Sequence, residues 1–342
     1  MSTEAQHPSI SETSQEHADL SCVGNPVVDP VEDLLEKFQH RERIQAGSLL
    51  ISIFGDTVVP RGGRIWLGSL IRLLEPLGLS ERLVRTAVFR LVRSGWLDST
   101  RIGRRTEYFL TPSAAQRFED AAASIYAARA PSWDRRWRLI LVIGELVGKD
   151  RELLHKALSW HGFGALNNNS FVHPNANLVT ALESLVTEGL GHLSHQLKPL
   201  IAADVGLGAA ASEAAMVQTA WDLQQLAERY RNFVARYQPA LAALHAGASE
   251  VSDENAFLLR LLLVHDYRHL LLRDPVLPDV LLPADWPGQQ ARVVCRDLYR
   301  RLLPATERHL DGCFQLADGT TPKATQALTE RFRAADPLAL AD

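Results

Sequence analysis

At 342 residues and 37.9 kDa, with 46% hydrophobic and 22% charged side chains, the chain is too long for one small domain and too apolar to be disordered throughout. A net charge of −4 and a pI near 6.3 do not by themselves suggest a nucleic-acid partner. The charge is unevenly placed, however: residues 1–44 hold 9 acidic and 3 basic side chains, whereas residues 47–115 hold 5 acidic and 10 basic, and all ten are arginine.

Residues 1–29 are polar and lack a sustained apolar period, so a disordered tail is expected there. Val31, Leu34, Leu35 and Phe38 then recur at helical spacing behind Glu32 and Asp33, which predicts a short lead-in helix within an acidic extension, 1–44. Residues 45–115 alternate apolar helix (Ser48 to Phe54), turn (Pro60 to Gly63), helix (Ile65 to Leu74), turn, helix (Ser80 to Arg93) and two short strands. This is the rhythm of a winged helix-turn-helix. In the third helix, Val84, Ala87, Val88 and Leu91 form a dry stripe, while Arg82, Thr86, Phe89 and Arg93 lie opposite, flanked by Arg85 and Arg90. Arginine forks suit guanine edges and phosphate. A basic turn of Arg101, Gly103, Arg104 and Arg105 joins the strands and reads as the wing. The DNA-contacting set is taken as Arg61, Arg64, Ser80, Arg82, Arg85, Thr86, Arg90, Arg93, Arg101, Arg104 and Arg105; the alternative is a solvated helix face.

Residues 116–131 read as a stiff, Ala-rich connector helix and the place of a hinge. In 132–208, strand and helix alternate (Trp137 to Ile143, Asp150 to His161, pieces of Gly162 to Val172, Asn177 to Gly189, Leu190 to Asp204), which predicts a ferredoxin-like α+β domain. Residues 209–318 are helical (Ala214 to Ala246, Asp253 to Arg273, Gly288 to Leu316), with a Pro-rich bridge before the last helix, and 319–342 show no core pattern and are taken as a tail. The fold class expected is therefore α+β, mostly helical.

Cys22, Cys295 and Cys313 are odd in number and far apart, so neither a disulfide framework nor zinc-knuckle spacing is present, and a reducing cytoplasm is expected. Apolar runs fall short of the ~20 residues of a membrane span, and the amino terminus is unlike a signal peptide. Asn167 to Asn169 suit a turn, and Gly62 and Gly63 lack a phosphate-loop pattern.

The stretches GDTVVPRGGRIWLGSLI (55–71), SERLVRTAVFRLVRSGWL (80–97), GRRTEYFLT (103–111), WDRRWR (133–138), LVHDYRHLLLRDP (263–275) and LLPADWPG (281–288) resemble the PaaX family of transcriptional repressors, over roughly residues 47–305. The acidic extension is outside the resemblance. What the resemblance implies is a homodimeric repressor with an N-terminal winged helix, a central ferredoxin-like domain similar to a small CRISPR-associated nuclease fold, and a C-terminal helical domain. It implies control of phenylacetate or related aromatic catabolism, with release from double-stranded operator DNA when an aryl-CoA thioester, typically phenylacetyl-CoA, binds. No cofactor is expected. An aryl-CoA needs an apolar slot and cationic donors. Trp133, Arg135, Arg136, Arg138, Trp221, Tyr230, His265, Tyr267, Arg268, His269 and Arg273 are assigned to that effector, the alternative being interdomain packing. His265 and His269, four apart, also have zinc-ligand spacing, but no third ligand is evident and no metal is assigned. An enzyme, either a metal-dependent nuclease or a hydrolase, is the competing reading; the strand 137–143 lacks an aspartate and no nucleophile elbow is present.

Overall fold

The computed structural model describes residues 29–40, 45–203, 212–247 and 250–333; the expected disordered tail up to residue 28, with Cys22, lies outside the described residues. Helix α1 (Pro30–Gln39) opens where Asp29 Oδ1 accepts the Val31 N–H at 2.7 Å and Pro30 occupies a position that needs no donor. α2 (Ala46–Ile53) precedes β1 (Arg64–Trp66), α3 (Leu67–Leu74), α4 (Glu81–Arg93), β2 (Leu97–Ile102) and β3 (Arg105–Leu110), the strands forming an antiparallel sheet in the order β1-β3-β2. The sequence puts Ile65 and Trp66 in a helix, whereas both are in β1, where Trp66 pairs with Glu107 and Ile65 is fully buried. Two apolar residues at a helix start carry no period that separates them from a strand. Gly78, at φ 79°, turns the chain between α3 and α4, a conformation that costs glycine little.

α5 (Pro112–Ile125) is not a free-standing connector. Phe118, Ala121, Ile125 and Tyr126 join the same apolar core as α2 to α4.

The central part runs β4 (Arg136–Val142), α6 (Gly148–Trp160), β5 (Gly164–Asn167), β6 (Ser170–His173), α7 (Leu178–Leu185) and β7 (Leu197–Ala203), with an antiparallel sheet in the order β5-β6-β4-β7. This is the split β-α-β of the ferredoxin-like fold. Ile140, Leu154, Leu158, Phe171 and Leu185 build its own core on one side of the sheet. On the other side Trp137 and Val172 pack with Val217, Leu277 and Leu281.

The helical part consists of α8 (Glu213–Ala220), α9 (Leu223–His245), α10 (Asp253–Leu271), α11 (Pro287–Cys313) and α12 (Gln326–Thr329). One continuous helix from Ala214 is expected, but Trp221 is extended and Asp222 starts α9 afresh by accepting the Gln225 N–H at 3.1 Å. α9, α10 and α11 share a single core with α1 to α5, so the first and last parts of the chain bury each other. The stretch after Gly319 belongs to that core too: Leu328 and Phe332 are buried. The segment from Cys313 to Phe332 crosses the N-terminal unit like a strap. Trp66 N–H donates to Gln315 O, Ala317 N–H to Glu107 Oε1, Thr325 N–H to Pro60 O and Phe332 N–H to Tyr126 O.

A buried ionic cluster crosses the same junction. Arg260 Nη2 lies 3.1 Å from Asp56 Oδ2 and its Nη1 donates to Glu307 Oε1 at 3.2 Å. Arg331 and the Tyr126 hydroxyl both donate to Asp56 Oδ1, at 2.9 and 2.8 Å. Arg61 donates to Glu307 Oε2 at 2.5 Å, Asp311 Oδ1 at 3.1 Å and Pro322 O at 2.9 Å. Arg61, expected among the DNA contacts, is therefore a core residue: its side chain is 1% exposed, because α11 supplies the carboxylates that a buried guanidinium requires. Burial and the nearby Asp56 carboxylate push the Tyr299 hydroxyl, which faces this cluster, up to about 12.

His173 ties the central part to the loop before α11. Its Nδ1 accepts the N–H groups of Asn175 (2.9 Å) and Ala176 (2.7 Å), so Nε2 holds the proton and donates to Pro275 O at 3.2 Å. Burial, which Arg138 reinforces, lowers its pKa from 6.5 to about 4. The unfolded chain then binds a proton below pH 6.5 that the folded chain refuses until about pH 4. Stability present above pH 6.5 is lost as the pH falls through that window, by about 3 kcal/mol from this one group. Urea unfolding at stepped pH should show the loss, and His173→Gln should flatten it; equal slopes for both proteins would remove His173 from the account.

Candidate nucleic-acid interface and ligand cleft

The α4 surface is built by a cap and a period. Ser80 Oγ accepts the Leu83 N–H at 3.3 Å, and Val84, Ala87, Val88 and Leu91 are buried. That leaves Arg82, Arg85, Thr86, Phe89, Arg90 and Arg93 exposed. Arg82, Thr86, Phe89 and Arg93 make one stripe at i, i+4, i+7 and i+11. Arg85 is paired to Glu81 at 2.7 Å, and the Arg93 guanidinium lies 5.9 Å from the Phe89 ring centroid.

The β2–β3 hairpin turns at Gly103, with Arg101 donating to Gly103 O at 3.1 Å and Arg104 exposed at the tip. Arg105 is exposed but engaged, over the Trp66 ring at 4.3 Å and donating to Ala317 O at 3.2 Å. Arg64 lies over Phe109 at 4.3 Å with Glu107 Oε2 3.7 Å away. The expected set thus divides into α4 and the hairpin tip, which are open to solvent, two half-engaged arginines, and the buried Arg61.

The residues assigned to an effector do not converge on one place. Tyr230 and Tyr267 line a cleft of about 250 Å³ with Arg129, Asp274, Trp286 and Arg292. The Tyr230 hydroxyl donates to Asp274 Oδ2, and its ring meets Trp286 edge-on at 5.9 Å. Removal from water raises the Asp274 pKa, opposed by the Tyr230 hydrogen bond, and burial raises that of Tyr267. Val276, also in the lining, sits at φ 53°, an unfavourable conformation for a β-branched residue, held where Asp274 Oδ1 accepts its N–H at 2.6 Å. Trp221 and Arg273 line a second cleft of about 420 Å³ between the central and helical parts, which shares Leu271 and Asp274 with the first.

The others lie elsewhere. Arg138 is fixed by Asp134 at 2.7 Å and Pro174 O at 2.5 Å, Trp133 meets Trp137 edge-on at 5.2 Å, and Arg135 and Arg136 are exposed. His265, Arg268 and His269 face α2. Arg268 donates to Ser48 Oγ (2.8 Å) and Ser52 Oγ (3.2 Å), while these hydroxyls meet His269 Nε2 and His265 Nδ1, each at 2.9 Å. Both hydroxyls accept from Arg268, and Ser52 Oγ donates to Ser48 O at 3.3 Å. Burial, then Arg268, lowers the His269 pKa. Among the described residues no three His, Cys, Asp or Glu side chains come together as a metal would need, and no helix is long and apolar enough to cross a membrane. Asp274 and Trp286, which the sequence reasoning missed, fall inside two of the quoted motifs, so a signal was present; Arg129 and Arg292 carried none.

Three family profiles match the chain: a PaaX-like protein over residues 45–114, a PaaX protein central Cas2-like domain over 130–198 and a PaaX-like protein C-terminal domain over 221–312. Transcriptional repressor PaaX of Escherichia coli (strain K12) is 37% identical over 295 residues, which cover 84% of this chain and 90% of that one. Among solved structures, the uncharacterized protein Rv0674 from Mycobacterium tuberculosis superposes with a TM-score of 0.45 at 24% identity, over 70% of this chain and 88% of that chain.

Proposed function

The chain belongs to the PaaX family of transcriptional repressors, and on that premise we propose that it represses aromatic, phenylacetate-type catabolic genes and leaves its operator when an aryl-CoA thioester binds. The observation that carries this reading is the exposed arginine stripe of α4 beside the basic hairpin tip, on a unit that shares its core with the ligand cleft. The N-terminal unit acts as a winged helix-turn-helix, and two copies in a dimer straddle a two-fold operator.

The cleft suits an aromatic acyl group, with Tyr230, Tyr267 and Trp286 for the ring and Arg129 and Arg292 to donate to the thioester carbonyl, the phosphates lying outside at the far end of the pantetheine arm. Asp274 favours a thioester over the free acid, since a second carboxylate beside it would meet like charge, whereas a thioester brings none. α10 carries the message: Tyr267 and Leu271 line the cleft, while His265, Arg268 and His269 grip α2, which packs on α4. Release requires that the thioester bind the low-affinity arrangement better than the DNA-competent one.

Fluorescence anisotropy on the intergenic DNA upstream of its own gene, at fixed salt, tests the reading. Phenylacetyl-CoA should release the DNA and phenylacetate should not, and Arg292→Ala should blunt release at unchanged DNA affinity. Binding indifferent to the thioester would move the effector elsewhere; absence of sequence-specific binding would sink the repressor.

A further inference from the structure

We propose that Phe89 reads the 5-methyl group of thymine in the major groove, an assignment that rests on the DNA-binding reading of α4. At 61% exposure Phe89 is the most exposed large apolar side chain of residues 45–110. Its companions on the same helix are charged: Arg82, Arg85, Arg90 and Arg93 are all exposed. A surface so charged selects a polyanion. The single apolar group that a duplex offers in its major groove is the thymine methyl.

The surroundings hold the ring to that task. Arg93 sits 5.9 Å from the ring centroid, in cation–π range, and restricts how the phenyl turns. Thr86, one turn before it, donates its hydroxyl proton to Arg82 O at 2.8 Å, so it is no free donor to a base edge. The stripe therefore presents arginine, apolar and arginine groups in succession, which fits guanine or phosphate on either side of a thymine.

The test begins by enriching a tight-binding duplex from a random-sequence pool and then replacing each thymine in turn by deoxyuridine, which removes one methyl and leaves the pairing edge intact. The unmutated protein should lose about fourfold in affinity at one thymine per half-site, the value of one apolar carbon. Phe89→Ala should bind the thymine and deoxyuridine duplexes alike, and Phe89→Leu should keep part of the difference. Unmutated protein indifferent to every replacement overturns the proposal, as does a full penalty persisting in Phe89→Ala, which assigns the methyl to another residue. A pool that yields no enriched duplex removes the repressor reading and this one with it. The deoxyuridine series on unmutated protein does not depend on how any variant folds.

Discussion

Replacing Arg260 by methionine is expected to lower the unfolding free energy by about 3–5 kcal/mol, the usual cost of removing one partner from a buried ion pair. Methionine fills much of the volume, so the loss is electrostatic rather than a cavity. It strands Asp56, which is 1% exposed, with Arg331 as its remaining cation, and leaves Glu307 with Arg61 alone. As it stands the cluster sets Arg61, Arg260, Arg331 and the more exposed Lys323 against Asp56, Glu307 and Asp311. Because these side chains come from both ends of the chain, urea unfolding followed by Trp66 and by Trp286 fluorescence, each isolated in a background lacking the other tryptophans, should shift together. A loss under about 1 kcal/mol would mean that the carboxylate re-pairs or is reached by water. Adding Asp56→Asn to Arg260→Met should deepen the loss rather than recover it, because Arg331, whose carboxylate partner is Asp56, is then a buried cation without one.

The second large effect is on DNA. Arg82→Ala or Arg93→Ala should weaken specific binding by about 10–100-fold, the value of one guanine-directed fork, with no change in melting temperature because both side chains are exposed. Arg104→Ala, at the hairpin tip, should instead weaken all sequences alike and reduce the salt slope by about 1. Arg61→Ala should do the reverse of Arg93→Ala and lower the melting temperature through the buried cluster. An Arg93→Ala protein with undiminished specific affinity would take α4 out of the groove.

The two arginines show what a sequence discloses about such a surface. Arg93 was legible because its own helix reports which side is dry: Val84, Val88 and Leu91 fix the orientation within a few residues. Arg61 was not, because the Glu307 carboxylate that draws it inward lies 246 residues away. The central fold was readable from alternating strands and helices, which are local patterns. α10 defeated the same approach: buried residues run almost continuously from Ala256 to His265, so it has no solvent side to orient Tyr267 towards the cleft or Arg268 towards α2. The cleft itself joins residues of α5, α9, α10 and α11, and only their packing brings them together.

The strap from Cys313 to Phe332 bears on the order in which the molecule comes into being. The sheet and helices of residues 46–110 are made first on the ribosome, yet Glu107, Trp66, Pro60 and Tyr126 receive their partners from the last residues described. The hydrogen-bond partners of this first unit thus appear only after residues 315–332 have been made. A chain that stops before Cys313 carries the arginine helix α4 without these partners.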